Sequence, residues 1–299
     1  MPENKRRVLI LDAFTDTPFL GNPCGVVPDA NGMTDEEMQK VARELNTPET
    51  SFVSKSDKAD FRVRYFTPRY EIGFAGHPTI ATSFMLGLEG MTSIDKPVNT
   101  ISLEFNIGVL PVDILTENGK LSSAVMTQAL PTYGASVEPE EMAECFKNFT
   151  KDDFADGLKP QVAGTGTNFL MVPIKSLDKL ATIEMNREKL CEIVDRVGVQ
   201  GSYVFVPYGF APETGMHARL CDPRGTQEDP FTGSAAGAAG CYMLDHGMTD
   251  KEVIHIEQGN FIGRPGHGTL YLKRENGKIT SVRLGGRAVK VSDGMMQLS

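Results

Sequence analysis

The 299-residue chain has no CxxC pair, no paired histidines at metal-ligand spacing, no apolar run long enough to span a membrane and no excess of positive charge. Its five cysteines, Cys24, Cys145, Cys191, Cys221 and Cys241, are odd in number and widely scattered. That argues against a disulfide framework or a zinc site and for a reducing, cytoplasmic setting. His217, His246, His255 and His267 are expected on the surface or in the core, and no metal is expected. Near the start, the apolar stretch 8-VLIL-11 is cut by Asp12, too short for a signal peptide or a membrane span. Thirty Lys and Arg against 39 Asp and Glu leave a net charge of -9, spread along the chain, so neither nucleic acid nor anionic membrane is the expected partner. Neither a phosphate-binding loop nor a dinucleotide fingerprint is present, and no cofactor is implied. A small molecule is the default partner for a chain of ordinary globular composition, long enough for two domains.

What is present is an internal duplication. The segment 61-FRVRYFTPRYEIGFAGHPTIATSFML-86 can be laid on 216-MHARLCDPRGTQEDPFTGSAAGAAGCYML-244 with one two-residue insertion. Arg64, Pro68 and Arg69 fall on Arg219, Pro223 and Arg224, and Glu71, Phe74, Gly76 and Ala81 fall on Glu228, Phe231, Gly233 and Ala238. Further on, 117-ENGK-120 returns as 275-ENGK-278.

Each copy has the same grammar: an alternating strand such as 61-FRVRYF-66, a turn, a small-residue helix, then β-rich arms joined at an Asn-Gly turn. The helices 78-PTIATSFMLGL-88 and 234-SAAGAAGCYML-244 carry no charge on any face, so the strands must enclose them. Outer helices differ. In 34-TDEEMQKVARELN-46, Thr34 and Glu37 form a capping box and Met38, Val41 and Leu45 share a face; 186-NREKLCEIVDRVG-198 presents Leu190, Ile193, Val194 and Val197. The expected class is α+β, with two similar domains, each a curled, mostly antiparallel sheet wrapped round a central apolar helix. Residues 1–130 form the first domain and 131–287 the second, with a break at 130-LPTYG-134, and the last strand, about 288–299, can return to either. Ligands favour domain interfaces, so the cleft between the copies is where chemistry is expected.

Both central helices begin at a glycine turn, 75-AGHP-78 and 232-TGSA-235. Free N–H groups and the positive dipole end suit a carboxylate or a developing enolate; alternatively Gly76 and Gly233 allow tight packing, with His77 and Ser234 as caps. Glu49 stands at the lip of the strand Ser51-Phe52-Val53, after Pro48. A carboxyl group in a partly apolar pocket there has its pKa raised toward a range useful for proton transfer, whereas a loop glutamate is simply solvated. Asp229 could cap the second helix, orient His77 or move a proton. The segment 21-GNPCG-25 reads as a turn in which Asn22 faces the cleft as a substrate-binding candidate, with Cys24 structural.

Taken together, 12-DAFTDTPFLGNPCGVV-27, 48-PETSFV-53, 65-YFTPRYEIGFAGHPTIA-81, 229-DPFTGSAAGAAG-240 and 258-QGNFIGRPG-266 resemble the PhzF family of phenazine-biosynthesis-like isomerases over almost the whole chain. The resemblance implies the two-domain fold of diaminopimelate epimerase and a homodimer. It also implies a proton-shuttling Glu49, functional His77, Asp229 and Ser234, and site-lining Gly76 and Gly233. Related epimerases and racemases use two opposed thiols, whose positions here fall at Ala75 and Thr232, and an alanine cannot move a proton. The expected reaction is therefore a proton shift by Glu49 on a small carboxylated cyclic or enol-type metabolite, an allylic isomerisation without cofactor. The competing readings are a non-catalytic ligand-binding or interaction protein that retains the fold, and a racemase with relocated bases, for which Cys24 and Cys221 are the thiols to inspect.

Overall fold

The two apolar helices fall at Gly76–Leu88 and Gly233–Asp245, thirteen residues each. All of the first but Leu88 is buried, and all of the second but Ser234 and Asp245. A helix without a polar face stabilises the protein only when sheet covers every side of it, and the strands of each unit supply that cover. The structure, a computed structural model, describes residues 5–298. Its described residues divide into two compact units, 5–127 with 285–298, and Gln128–Leu284.

The first unit runs β1 (Lys5–Ala13), β2 (Asn22–Val27), α1 (Asp35–Leu45), β3 (Glu49–Ser54), β4 (Phe61–Phe66), β5 (Glu71–Ile72), α2 (Gly76–Leu88), β6 (Val98–Phe105), β7 (Gly108–Glu117) and β8 (Lys120–Thr127). The second runs β9 (Thr132–Ser136), α3 (Pro139–Ala143), β10 (Gln161–Gly164), β11 (Asn168–Pro173), α4 (Leu177–Ala181), α5 (Arg187–Val197), β12 (Ser202–Val206), β13 (Thr214–Cys221), α6 (Gly233–Asp245), β14 (Val253–Gln258), β15 (Gly266–Glu275) and β16 (Lys278–Gly286). β17 (Ala288–Gln297) then pairs antiparallel with β1. Among the described residues, no helix is long and apolar enough to cross a membrane.

Strand pairing repeats between the units. β1 is antiparallel to β2, β2 parallel to β3, β3 antiparallel to β4, and β4 parallel to β6. In the second unit β10 is antiparallel to β11, β11 parallel to β12, β12 antiparallel to β13, and β13 parallel to β14. β9 flanks β10 as β17 flanks β1, and each follows an Asn-Gly hairpin whose turn residues, Asn118-Gly119 and Asn276-Gly277, have positive φ. Outer helices cover one side only: α1 buries Met38, Val41 and Ala42 against Val27, Phe52 and Phe66, and α5 buries Leu190, Ile193 and Val194 against Val172 and Val204. The Thr34–Glu37 capping box is formed.

The duplication extends to an ion pair. Arg64 on β4 holds Glu71 through Nε and Nη2, both at 2.7 Å, and Arg219 on β13 holds Glu228 through the same atoms at 3.1 and 2.7 Å. The second clamp is the less exposed, at 13% and 14% of the two side chains against 20% and 26%. Arg219→Met leaves Glu228 without its guanidinium, which costs about 3 kcal/mol, the scale for breaking a buried pair from one side. Arg64→Met is expected to cost less, and thermal unfolding followed by circular dichroism ranks the two.

Two local expectations change. Asn22–Gly25 is not a turn: β2 begins at Asn22, in register with Ala13, and the turn ends at Gly21 with φ +59. Pairing with β1 extends the backbone there, a long-range effect that the turn-prone residues Gly21, Asn22 and Pro23 conceal. Thr132–Ser136, read as part of a break, is the strand β9.

Candidate active site

α1 ends at Asn46, left-handed at φ 50, and Thr47-Pro48 leads directly into β3. The Thr47 hydroxyl accepts from the Gly25 amide at 3.3 Å and donates to the Glu49 carbonyl at 2.9 Å, so the backbone that presents Glu49 is fastened at both sides. Glu49, the first residue of β3, keeps 20% of its side chain exposed. Its Oε2 lies 3.3 Å from Nε2 of His77, which is 6% exposed. His77 occupies the first turn of α2, whose cap residue Ala75 has extended backbone and makes no side-chain capping bond. His77 is therefore not a cap.

Burial pushes the His77 imidazolium down to about 3, opposed only by a hydrogen bond to the Pro23 carbonyl, so the ring is neutral at pH 7. Nε2 makes no hydrogen bond within the protein, which assigns the Pro23 bond to Nδ1–H. The ring consequently turns a lone pair toward Glu49, and a proton on Oε2 would bridge the contact. Asn22, the residue before Pro23, is completely buried.

In the second unit, Asp229 Oδ2 accepts from the Thr232 hydroxyl at 2.6 Å. Thr232 is the cap residue of α6 and makes no side-chain capping bond, and Ser234, the second residue of the helix, is not its cap. The Thr232 amide donates to Gln258 Oε1 at 3.0 Å. Gly233 and Ser234 open α6, and their carbonyls accept from Gln128 Nε2 at 3.0 Å and from the Thr165 hydroxyl at 3.2 Å. Sequence reasoning named neither Gln128 nor Thr165, and met Thr232 only in the turn that opens the helix and as the place of a thiol in related epimerases. Pro23 was likewise missed, because its contribution is a backbone carbonyl that no side-chain pattern signals.

The clamps, with the strand registers beside them, give a correspondence between the two copies. Arg64 lies opposite Phe52 and Arg219 opposite Val204, so three residues earlier Glu49 matches Gly201, while His77 matches Ser234. The carboxylate has no counterpart in the second copy. Burial pushes the thiols of Cys24 and Cys221 up to about 12, leaving both protonated and unsuited to act as bases. His217, completely buried, contacts Glu257 through Nδ1 at 3.0 Å as part of the core. Among the described residues, no three His, Cys, Asp or Glu side chains gather in a group able to hold a metal ion.

A family model described as phenazine biosynthesis-like protein matches residues 11–294. An uncharacterized isomerase of Clostridium acetobutylicum is 33% identical over 290 residues, 94% of each chain. The trans-2,3-dihydro-3-hydroxyanthranilate isomerase of Pseudomonas aeruginosa is 29% identical over 98% of this chain and 99% of its own. The crystal structure of the Bacillus anthracis phenazine biosynthesis protein of the PhzF family, 31% identical, covers 98% of this chain and 99% of that one with a TM-score of 0.87. Motifs, architecture and relatives agree over nearly the full length, and the chain belongs to the phenazine biosynthesis-like family, the PhzF family of isomerases.

Proposed function

We propose that Glu49 carries a proton between two carbons of a small carboxylated cyclic or enol-type metabolite, without a cofactor. The observation that supports this reading most is the 3.3 Å contact between Glu49 Oε2 and the unprotonated Nε2 of a buried, neutral His77. Glu49 removes a proton from carbon next to an unsaturated or carbonyl system, and electrons move along the allylic system. The same carboxyl then returns a proton to another carbon on the same face. His77 and Asp229 orient the substrate or steady the shifted electron density. The α2 and α6 mouths, at Gly76, Gly233 and Ser234, bind its carboxylate. Asn22 is proposed as a further substrate-binding residue. A match of Glu49 to Gly201, together with protonated Cys24 and Cys221, favours one acid/base over two.

A relative at 29% identity acts on trans-2,3-dihydro-3-hydroxyanthranilate by its name, which makes that compound the first to try. It heads a panel of small cyclic and enol-type carboxylates incubated with the enzyme in D2O and followed by proton NMR. Deuterium entering a panel member with the wild type and not with Glu49→Gln supports the reading. Equal incorporation by both removes Glu49 from its role, and binding without incorporation favours a ligand-binding protein. A homodimer is proposed on the resemblance alone, and equilibrium sedimentation should give twice the 32.6 kDa chain mass; a monomer contradicts it.

A further inference from the structure

Gln258, which opens the stretch QGNFIGRPG, closes β14 and is completely buried. Its carboxamide makes four hydrogen bonds. Oε1 accepts from the Tyr203 hydroxyl at 2.9 Å and from the Thr232 amide at 3.0 Å. Nε2 donates to the Asp229 carbonyl at 2.8 Å and to the Thr232 hydroxyl oxygen at 3.1 Å. Two donors and two acceptor sites are all that a carboxamide possesses, so Gln258 is saturated. Its orientation is also determined, because the Thr232 N–H can only donate and the Asp229 carbonyl can only accept.

The direction of the next bond follows. With Gln258 donating to its oxygen, the Thr232 hydroxyl places its own proton on Asp229 Oδ2 at 2.6 Å. One amide thus holds the Asp229 backbone, the Asp229 carboxylate through Thr232, and the cap residue of α6. The neighbouring Gly259, at φ +89, allows the two segments to meet: a Cβ there would lie 2.7 Å from the Pro230 carbonyl oxygen and 2.2 Å from that of Arg264.

We propose that Gln258, steadied by Tyr203, is the positioning residue for Asp229 and for the mouth of α6. It touches no reacting atom and acts through Thr232. This rests on the reading of Asp229 as part of the site. Replacement is expected to cost kcat more than KM, since a displaced Asp229 orients the substrate less well for proton transfer while the remaining contacts still hold it.

Gln258→Leu deletes all four bonds. With trans-2,3-dihydro-3-hydroxyanthranilate as probe, it is expected to lower kcat per folded molecule about 10- to 100-fold, the scale on which outer-shell partners of metal ligands act. Gln258→Glu keeps both acceptors, and its donor exists only in the protonated acid, so its kcat should rise relative to wild type as pH falls. A purely structural role would change the folded fraction and leave that pH profile untouched. Wild-type kcat in folded Gln258→Leu, or superimposable profiles for Gln258→Glu and wild type, overturns the proposal. Amide exchange at Thr232, read by NMR without substrate, is expected to accelerate in Gln258→Leu, and unchanged exchange overturns the clamp. Failure of the reaction reading is separate: there the wild type itself turns over no probe, and Thr232 exchange still decides the clamp.

Discussion

Glu49→Gln is expected to lower kcat by about 10²- to 10⁴-fold, the contribution of a positioned acid/base, with KM little changed. The amide has the shape of the acid and can donate to the same His77 lone pair 3.3 Å away, so the fold and the His77 orientation survive. What disappears is the exchangeable proton. His77 cannot substitute, because burial holds its imidazolium down to about 3 and it carries no second proton at neutral pH. Nor can the second copy, where Gly201 stands in place of Glu49. Steady-state kinetics on a panel substrate checks this, and a Glu49→Gln enzyme with more than about one-tenth of wild-type kcat would assign the proton transfer elsewhere.

Acid is expected to unfold the protein through His77. In the unfolded chain the ring takes up a proton near 6.5, whereas burial in the folded state delays this to about 3. Above the unfolded value the ring is neutral in both states and contributes nothing to pH dependence. As pH falls from 6.5 toward 3, only the unfolded state gains this proton, and stability is lost throughout that window. At about 1.4 kcal/mol per pH unit the loss approaches roughly 5 kcal/mol at the bottom of the window, and roughly 3 kcal/mol by pH 4. The Asp293 carboxylate, lowered to about 2 chiefly by its hydrogen bond from Arg7, adds its own loss only below the usual aspartate value. His77→Asn should therefore unfold with a shallower pH dependence between 6.5 and 4 than wild type. The chain has no tryptophan, so urea unfolding followed by far-ultraviolet circular dichroism is the suitable measurement. Parallel stability curves for the two proteins would mean that His77 takes up its proton in the folded state.

The parts of the fold written in local pattern were legible from sequence. α1 follows from Thr34, Glu37 and its apolar face, and the two central helices from the absence of charge in 78-PTIATSFMLGL-88 and 234-SAAGAAGCYML-244. The duplication was legible because the Arg64–Glu71 and Arg219–Glu228 clamps require the same residue types at matching places. Hidden features depend on distant partners. Asn22 looked like a turn residue because nothing local announces its register with Ala13 on β1. The neutrality of His77 comes from burial, which outweighs its hydrogen bond to the Pro23 carbonyl on β2, and neither is a property of the Gly-His-Pro motif. Gln258 was visible only as a member of a motif, since the hydroxyl of Tyr203 reaches it from 55 residues away and the amide of Thr232 from 26.

The most direct test of Glu49 as the proton carrier is a single turnover in H2O with substrate deuterated at the carbon that loses its proton. Mass spectrometry then reads the label at the receiving carbon. Wild type should deliver part of the deuterium to that carbon, because the carboxyl that removes it also returns it, and Glu49→Gln should deliver none. Deuterium transfer that continues undiminished in Glu49→Gln would contradict the mechanism.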